Sequence, residues 1–253
     1  MDKISVVIQT LNEETNIEGC VESAKLLTRN IILVDSGSCD QTVKLAQKYR
    51  LQIYHFPNCQ YVEPARQFAI EKARTEWVLI LDADERITFS LAQEINNIIK
   101  NTSYSHFKIA RKNIFGRSKW LKNGGWWPDY QIRLINKQCF KSWPKEIHST
   151  PVINGKIGYL DKPFIHYFHG DFEKMIDKTV IFEKIEANLL FQAGRDASTL
   201  IFFRKFIGEL WRRLVINLGF LDGEIGIMES IYQAFSKTIT YLYLYENKKS
   251  GCL

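Results

Sequence analysis

The carboxylates best suited to chemistry are Asp82 and Asp84, which directly follow the apolar run WVLIL. Two carboxylates at this spacing, at the end of a buried strand, can reach the same side of one cation. Mg²⁺ or Mn²⁺ takes oxygen ligands of this kind and can share them with a diphosphate. The alternative is that Asp84 and Glu85 begin the next helix, because acidic side chains favour a helix N-terminus. The apolar run before the pair favours the metal site.

Two further groups of polar residues follow apolar runs earlier in the chain. They are Thr10, Asn12 and Glu13 after the first run, and Asp35, Ser36 and Gly37 at the end of the second. The carboxylate of Asp35 could accept the imide N–H of uracil or the hydroxyls of a ribose, or it could only complete a turn. Together with Arg66, Asp82 and Ala83, which separates the two aspartates, these residues make up the predicted donor-binding set.

A positively charged side chain is expected at the same edge of the sheet. Arg66 lies near the start of a predicted helix at 64–74 and could pair with a phosphate. The alternative is a surface ion pair with Glu63 or Glu71. No GxGxxG motif follows the first strand and no GxxxxGK[ST] motif occurs, so the sequence predicts no glycine cradle for phosphates.

These residues need a scaffold that brings strand ends together. The first hundred residues alternate between β-rich apolar runs and helical patterns, with strands expected at 4–9, 31–35, 51–56 and 76–82. This order predicts an α/β fold with a parallel sheet and helices on both faces. Ligands bind outside the carboxyl ends of such strands, where the polar groups converge.

The rest of the chain has a different pattern. Residues 101–168 are broken by Gly, Pro and Trp, which predicts short mixed strands and loops that extend the sheet and form one wall of a site. Residues 171–193, 198–217 and 224–246 are helical by period. The segment 198–217 combines apolar residues with a basic side, a form that can lie on an anionic membrane; the alternative is packing within the fold or on a second subunit.

Composition limits the classes of partner. The chain carries a net charge of +6, and residues 101–150 alone hold ten Lys and Arg against two Asp and Glu. Such a block favours an anionic partner. The five cysteines form no CxxC or zinc spacing, which predicts a reducing compartment. Because neither a signal peptide nor a run of about 18 apolar residues is present, the sequence predicts a cytoplasmic protein.

The motifs resemble a known family. The segments ISVVIQTLNEE, IILVDSGSCDQTVKLAQKY and ARQFAIEKARTEWVLILDADE are similar to inverting family-2 glycosyltransferases with the GT-A fold. The segments NGGWWPDYQIRL, KEIHS, FIHYFHGDFEKMIDK and LGFLDGEIGIM resemble the branch typified by bacterial lipopolysaccharide-core glucosyltransferases. The resemblance covers about residues 3–245. It implies a GT-A domain over 1–170, with a nucleotide-sugar half at 1–100 and an acceptor half at 101–170, and a helical extension over 171–253.

The resemblance also implies an activity and a cofactor. It implies transfer of a hexose from a nucleotide sugar such as a UDP-hexose to an anionic glycan or glycolipid, with inversion at the anomeric carbon. It implies a divalent metal at Asp82 and Asp84, the nucleoside near Thr10, Asn12 and Asp35, and Arg66 where the family carries a Lys or Arg.

Inverting transfer needs a base on the face opposite the departing nucleotide. Asp129 is the first candidate, since it follows the aromatic segment Trp126-Trp127-Pro128. The alternatives are an ion pair with Arg133 or a turn after Pro128. Glu146 and His148 are the reserve candidates. The related branch usually reads Val-His-Glu here, whereas this chain has Ser149 after the histidine, so Glu146 would have to substitute for that glutamate.

The remaining predicted contacts concern the acceptor and the metal. The predicted acceptor-binding residues are Trp126, Trp127, Gln131 and Arg133. Aromatic faces stack on sugars, although one of the two tryptophans is expected to pack in the core. His166 or His169 could reach a pyrophosphate or the metal, and His169 is assigned to the metal set.

Two other functions remain open at this stage. A polyprenyl-phosphate sugar transferase would have similar N-terminal motifs, and its lipid phosphate could bind the basic block. A glycan- or nucleic-acid-binding protein without catalysis is the second alternative. No RNP or KH motif is present, and the carboxylates at 82, 84 and 85 would repel phosphate without a metal, so no nucleic-acid partner is expected. A peripheral contact with the inner membrane and a homo-oligomer are hypotheses.

Overall fold

The computed structural model describes residues 3–57, 62–146, 149–168 and 172–250. The chain divides into two compact units. The first contains Met1–Lys112 and Asp129–His166, and the second contains Asn113–Pro128 and Tyr167–Leu253. The segment 101–170, expected to form the second half of one domain, is therefore divided between the two units.

Strands and helices alternate through the first hundred residues. The strands of the described chain are β1 Ile4–Thr10, β2 Ile31–Asp35, β3 Gln52–His55, β4 Trp77–Asp82, β5 Glu85–Arg86, β6 Tyr104–Phe115, β7 Lys119–Trp120, β8 Asp129–Asn136, β9 Phe140–Ser142, β10 Val152–Ile153, β11 Lys156–Tyr159 and β12 Phe164–Phe168. The α-helices are α1 Ile17–Ala24, α2 Thr42–Gln47, α3 Glu63–Lys72, α4 Phe89–Ile98, α5 Phe172–Gln192, α6 Thr199–Trp211 and α7 Gly223–Ser250. A π-turn, Arg212–Ile216, and a 3₁₀ turn, Gly219–Asp222, join α6 to α7.

The main sheet has the order β3-β2-β1-β4-β8-β6-β12-β5, with β7 and β11 also paired to β6. The first four strands are parallel, so their carboxyl ends share one edge. The strand β8 joins β4 antiparallel, and β6 joins β8 antiparallel. The sheet is thus mixed. The expected parallel half is present, and the extension is mixed as expected, but its strands β6, with 12 residues, and β8, with 8 residues, are long and not short.

Helices cover both faces of the parallel half. On one face, Val6 and Ile8 of β1 pack with apolar residues of α1 and α4. On the other face, Val7 packs with Ala65 and Ala69 of α3. Strands buried on both faces read as continuous apolar runs, which is why the sequence pattern located them.

The segment after β4 folds as a strand and not as a helix start. Glu85 and Arg86 pair antiparallel with β12, which sets His166 opposite Glu85. The helix α4 begins only at Phe89, and the side chain of Thr88 caps it by accepting from the Leu91 N–H at 3.2 Å. The alternative for Asp84 and Glu85, the first turn of the next helix, is therefore wrong.

The second unit is mainly helical. The helix α7 packs against α5 and α6. Polar contacts line the α5–α7 interface: Glu183 is buried and accepts from Ser236 Oγ at 2.5 Å and from Thr240 Oγ1. No helix among the described residues is both long enough and apolar enough to cross a membrane.

Candidate active site

The ends of β1 and β2 lie side by side and are joined by hydrogen bonds. Thr10 is in register with Asp35, and its hydroxyl donates to Asp35 Oδ1 at 3.2 Å. The Ser36 N–H donates to the Thr10 carbonyl at 2.9 Å. The two predicted donor-binding segments therefore meet at the carboxyl edge of the sheet.

The carboxylate of Asp35 also fixes the turn after β2. Its Oδ2 accepts from the Gly37 N–H at 3.0 Å and from the Ser38 N–H at 3.1 Å. Gly37 has φ 90°, a conformation that L side chains rarely adopt. The turn that the sequence left open as an alternative is present, and it orients the carboxylate.

Asn12 and Glu13 hold the first loop against the second. Asn12 adopts φ 56°, and its Oδ1 accepts from the Cys39 N–H at 2.9 Å. The Glu13 N–H donates to Thr42 Oγ1 at 2.8 Å, while the Glu13 carboxylate accepts from Asn16 Nδ2 at 2.8 Å. These contacts give the paired loops a defined shape because each backbone turn is bonded to the neighbouring loop.

Asp82 ends β4 between two guanidinium groups. Arg133 Nη2 donates to its Oδ2, and Arg66 Nη2, on α3, lies 3.3 Å from its Oδ1. Burial acts to raise the pKa of Asp82, but the charges of Arg133 and Arg66 act in the opposite direction and prevail. The pKa is therefore far below its usual range, and Asp82 is an anion at neutral pH. At this edge of the sheet Arg66 pairs with the carboxylate of Asp82. The sequence had suggested Glu63 or Glu71 as the alternative partner.

The surroundings of Arg133 differ from those that the sequence predicted. Arg133 was expected to contact an acceptor, but it is only 2% exposed and its Nη2 also donates to Glu85 Oε1 at 2.8 Å. Burial acts to lower the pKa of Arg133, yet Asp82 and Glu85 raise it above its ordinary value. Burial also raises the pKa of Glu85. Arg133 thus holds two carboxylates in place, and its enclosed position leaves no surface for an acceptor.

Asp129, the predicted base, pairs with Arg111 and not with Arg133. Arg111 Nε and Nη2 lie 2.8 and 2.7 Å from Asp129 Oδ2. Gln131 Nε2 donates to Oδ1 at 2.9 Å. The register explains this geometry, because Arg111 on β6 lies directly opposite Asp129 on β8. Gln131, predicted to bind the acceptor, supports Asp129 from the same strand.

One series of alternating charges links these groups. Arg111 Nη1 lies 3.8 Å from Glu85 Oε1, which connects Asp129 to the carboxylates around Arg133. We call this series the ion-pair network; its members are Arg66, Asp82, Arg133, Glu85, Arg111 and Asp129. It brings the predicted base and the first aspartate of the Asp82–Asp84 pair into one electrostatic unit.

Asp84 lies outside this network, beside a histidine. His166 Nε2 is 3.4 Å from Asp84 Oδ2, and both side chains are partly exposed. A carboxylate oxygen and an imidazole nitrogen suit a cation such as Mn²⁺. Both oxygens of Asp82 accept from guanidinium groups, so Asp84 fits the cation better. Within the described ranges, no three His, Cys, Asp or Glu side chains cluster as a metal site.

Some predicted residues are placed elsewhere or not described. His148 and His169 lie outside the described residues. Glu146 is exposed, and its carbonyl accepts from the Ser149 N–H at 3.1 Å. Ser149, which stands where the related branch carries glutamate, donates from its hydroxyl to the Pro144 carbonyl at 2.6 Å, so it completes a turn. Ala83 is buried between the two aspartates.

The two tryptophans, in the second unit, have different surroundings. Trp126 packs on Phe168 with ring centroids 4.7 Å apart, and the Arg213 guanidinium lies 5.3 Å from its ring centroid. Trp127 is 36% exposed and meets Trp120 edge-on. Trp126 is half-buried and Trp127 keeps an exposed ring, so neither lies in the core, where one of the two was expected.

Sequence reasoning missed two residues at the sheet edge. Arg111 was counted only as part of the basic block, although a basic residue within an apolar strand could have marked it. Gln9 was assigned only to the first strand. It is 3% exposed, pairs in register with Asp82, and its amide has no hydrogen-bond partner within the described part of the chain.

Comparison with known families decides the class. Residues 5–157 match the glycosyl transferase family 2 domain. The chain belongs to glycosyl transferase family 2. A family-2 chain is a glycosyltransferase, and the matched range contains every member of the ion-pair network.

Two related proteins and one solved structure are similar to this family-2 chain. An uncharacterized glycosyltransferase of Rickettsia conorii is 27% identical over 97% of this chain and 91% of its own length. The lipopolysaccharide core biosynthesis glycosyltransferase LpsC of Rhizobium meliloti is 33% identical over 61% of this chain and 59% of its own. S. aureus TarS 1–349, in complex with UDP-GlcNAc, has a TM-score of 0.52 at 17% identity, covering 94% of this chain and 81% of that one. This likeness concerns the fold, and the expected GT-A class with C-terminal helices is confirmed.

Proposed function

We propose that this family-2 chain transfers a hexose from a nucleotide sugar, a UDP-hexose, to a cell-envelope glycan. The transfer inverts the configuration at the anomeric carbon. The observation that carries the proposal is the ion-pair network, which couples Asp82 to Asp129 beside the loops after β1 and β2. The sequence resemblance and the TarS complex with UDP-GlcNAc support a uridine-linked donor.

The donor would bind across the carboxyl edge of β1, β2 and β4. The proposed contacts are Thr10, Asn12, Glu13, Asp35, Ser36, Gly37, Arg66, Asp82 and Ala83. The locked loops support this subsite because a preformed surface loses little entropy on binding. Arg66 supplies positive charge on the same face as Asp82, which favours a diphosphate there.

A divalent cation, Mg²⁺ or Mn²⁺, belongs to this proposal. Asp84 would hold it with His166, and Asp82 would contribute from the other side of Ala83. When bound, such a cation offsets the charge that develops on a departing diphosphate. The third predicted ligand, His169, lies outside the described residues and stays a prediction.

Asp129 is the proposed base. Arg111 fixes one oxygen of its carboxylate and Gln131 the other, so the group is oriented to take a proton from an acceptor hydroxyl. The Arg66 and Arg133 guanidinium groups hold Asp82 as an anion throughout. Glu146 and His148 stay the reserve candidates for the base.

The acceptor side is proposed to be an anionic glycan such as lipopolysaccharide inner core. The basic block and the LpsC relative support this choice. The exposed ring of Trp127 suits stacking on a sugar, with Trp126 as its packed support. We place the protein in the cytoplasm, at the face of the inner membrane where such acceptors are built. A homo-oligomer stays a prediction.

One experiment tests the acceptor class. Purified protein is incubated with Mn²⁺ and radiolabelled UDP-hexoses, with either deacylated lipopolysaccharide core or polyprenyl phosphate as acceptor. The proposal expects label in the oligosaccharide and none in the polyprenyl phosphate. Transfer to polyprenyl phosphate alone would replace the proposed acceptor, and transfer to neither from any UDP-hexose would contradict the activity.

A further inference from the structure

The helix α6 presents an apolar stripe that no described residue of the second unit covers. Leu200, Phe203, Ile207 and Trp211 lie along one side of the helix and are between 54% and 79% exposed. The spacing of three or four residues puts them on one face. Exposed apolar residues continue through the following turns in Ile216, Phe220 and Leu221. Large apolar side chains left exposed together in this way mark an interaction site.

The polar residues beside the stripe are basic. Arg204, Lys205 and Arg212 flank it, all exposed. The only acidic residue of α6 is Glu209, whose side chain is 16% exposed and is bonded to both Arg212 and Arg213. The accessible charge on α6 itself is therefore positive. Large apolar side chains with a basic flank are the features of a helix that lies in the interface of an anionic bilayer.

The charge pattern favours lipid over a second copy of the chain. A two-fold dimer would set the stripe against itself and bring Arg204, Lys205 and Arg212 close to the same residues of the partner. Like charges at such short range disfavour that arrangement. Anionic headgroups would instead neutralise the arginines and lysine while the stripe enters the acyl boundary.

The turn at the end of α6 also holds the loop that carries the tryptophans. Arg213 Nη1 donates to the Gly124 carbonyl at 3.0 Å, and the Gly124 N–H donates to the Asn217 carbonyl at 2.7 Å. Asp222 accepts from the Lys122 N–H at 2.8 Å and from the Asn123 N–H at 2.7 Å. The surface that continues the apolar stripe is thus bonded to residues 122–124, just before Trp126 and Trp127.

We propose that α6 and the turns after it dock on an anionic membrane surface and hold the loop of Trp126 and Trp127 at that surface. The acceptor then reaches the protein from the lipid phase, as a glycan carried on a lipid. This inference rests on the proposed function for the role of Trp127, whereas the docking itself is independent of catalysis.

The test is co-sedimentation with vesicles at physiological salt. Vesicles of phosphatidylglycerol and phosphatidylcholine are compared with vesicles of phosphatidylcholine alone. The wild-type chain is expected to bind the anionic vesicles and not the neutral ones. The double variant Phe203→Glu/Ile207→Glu should bind the anionic vesicles about tenfold more weakly or less, since two apolar anchors become charged. The matched control is Phe89→Glu, which changes an exposed phenylalanine of α4 in the first unit (65% exposed, against 54% for Phe203) and should bind like wild type.

Three further readouts keep the outcomes distinct. Circular dichroism reports whether the double variant folds; if it does not, Arg204→Glu/Lys205→Glu, on the same exposed face, replaces it. Hydrolysis of the UDP-hexose should be unchanged in every variant, so loss of binding with intact hydrolysis supports docking alone. Equal binding by wild type and the double variant overturns the proposal, as does no binding at all. A dimer in sedimentation velocity that the double variant dissociates, without vesicle binding, assigns the stripe to self-association instead.

Discussion

Asp82 and Asp84 are separated by one residue but differ in their electrostatic surroundings. Asp82 balances Arg133, which is almost wholly buried, whereas Asp84 is partly exposed beside His166. Asp82→Asn should therefore lower the free energy of unfolding by about 3–5 kcal/mol, the range for breaking a buried ion pair. Asp84→Asn should change it by about 1 kcal/mol or less while removing the response of activity to Mn²⁺.

Urea unfolding and a Mn²⁺ titration of activity measure these two effects. An Asp84→Asn enzyme that keeps its full response to Mn²⁺ would show that the cation is held elsewhere. Equal stability of the two variants would mean that the network around Arg133 contributes little to the fold.

Asp129 is expected to act on the rate of transfer and not on donor binding. Asp129→Asn keeps the shape of the side chain but removes the proton acceptor, so kcat should fall by about 10²–10⁴-fold with the KM for the nucleotide sugar unchanged. Glu146→Gln is the matched control and should retain most of the rate, since Glu146 is exposed. A larger loss in Glu146→Gln than in Asp129→Asn would transfer the role of base to Glu146.

At the level of single residues, the sequence identified the carboxylates but not the side chains that pair with them. Asp82, Asp84 and Asp129 were recognised because each lies in a local motif. Their partners depend on strand register: Arg133 is 51 residues from Asp82, and Arg111 is 18 residues from Asp129. A local argument paired Arg66 with Glu63 or Glu71 because it considers only neighbours on one helix. The structure pairs it with Asp82 across the sheet edge.

The junction of the 3₁₀ turn with α7 is tightly packed around Gly226. A Cβ added at Gly226 would lie 2.1 Å from the Gly219 carbonyl oxygen, which is backbone and cannot move aside easily. Gly226→Ala should therefore destabilise the second unit by about 1–3 kcal/mol. Gly208→Ala, in the exposed part of α6 with no atom within 4 Å, should instead stabilise it by about 0.5–1 kcal/mol. Thermal unfolding shows whether each substitution raises or lowers the stability of the second unit. A loss of stability in both variants would contradict the packing argument.

The buried carboxyl of Glu229 on α7 should make stability depend on pH. Burial raises the pKa of Glu229 from 4.5 to about 7, although Gln233 and Arg213 act to lower it, and its Oε2 has no hydrogen-bond partner within the described residues. Between about pH 4.5 and 7 the unfolded chain loses this proton while the folded chain keeps it, so stability falls as pH rises and then levels off.

Glu229→Gln should remove that loss. Relative to wild type, its stability should be nearly the same at pH 5 and higher at pH 8, by on the order of 1–3 kcal/mol. Urea unfolding at the two pH values checks this. If the variant and the wild type differ in their free energy of unfolding by the same amount at pH 5 and at pH 8, Glu229 does not titrate in this range.

Element prediction succeeded where burial alone determines the pattern. The strands β1, β2 and β4 were located within about one residue because both faces are apolar. The α7 helix was expected over 224–246 and runs over Gly223–Ser250, since its end is polar and lacks an apolar period. The short strand β5 was not expected, because its two residues pair only with β12, far along the chain.

For the whole molecule, the sequence predicted the class of fold, and the predicted site residues that follow β1, β2 and β4 lie at the carboxyl edge of the parallel strands. It did not predict the order β8-β6-β12-β5 in the rest of the sheet, because that order depends on pairings between distant segments. Nor did it predict that residues 113–128 would belong to the helical unit, since the anchors of that loop, Arg213, Asn217 and Asp222, lie about 90–100 residues further on.

The most direct test of the central claim is turnover of a panel of nucleotide sugars by the purified chain, measured with Mn²⁺, with a chelator, and in the Asp129→Asn variant. We predict that a UDP-hexose is consumed with Mn²⁺, that the chelator abolishes this turnover, and that Asp129→Asn reduces it to near background. Turnover that persists in the chelator and in Asp129→Asn, or no turnover of any nucleotide sugar, would contradict the account.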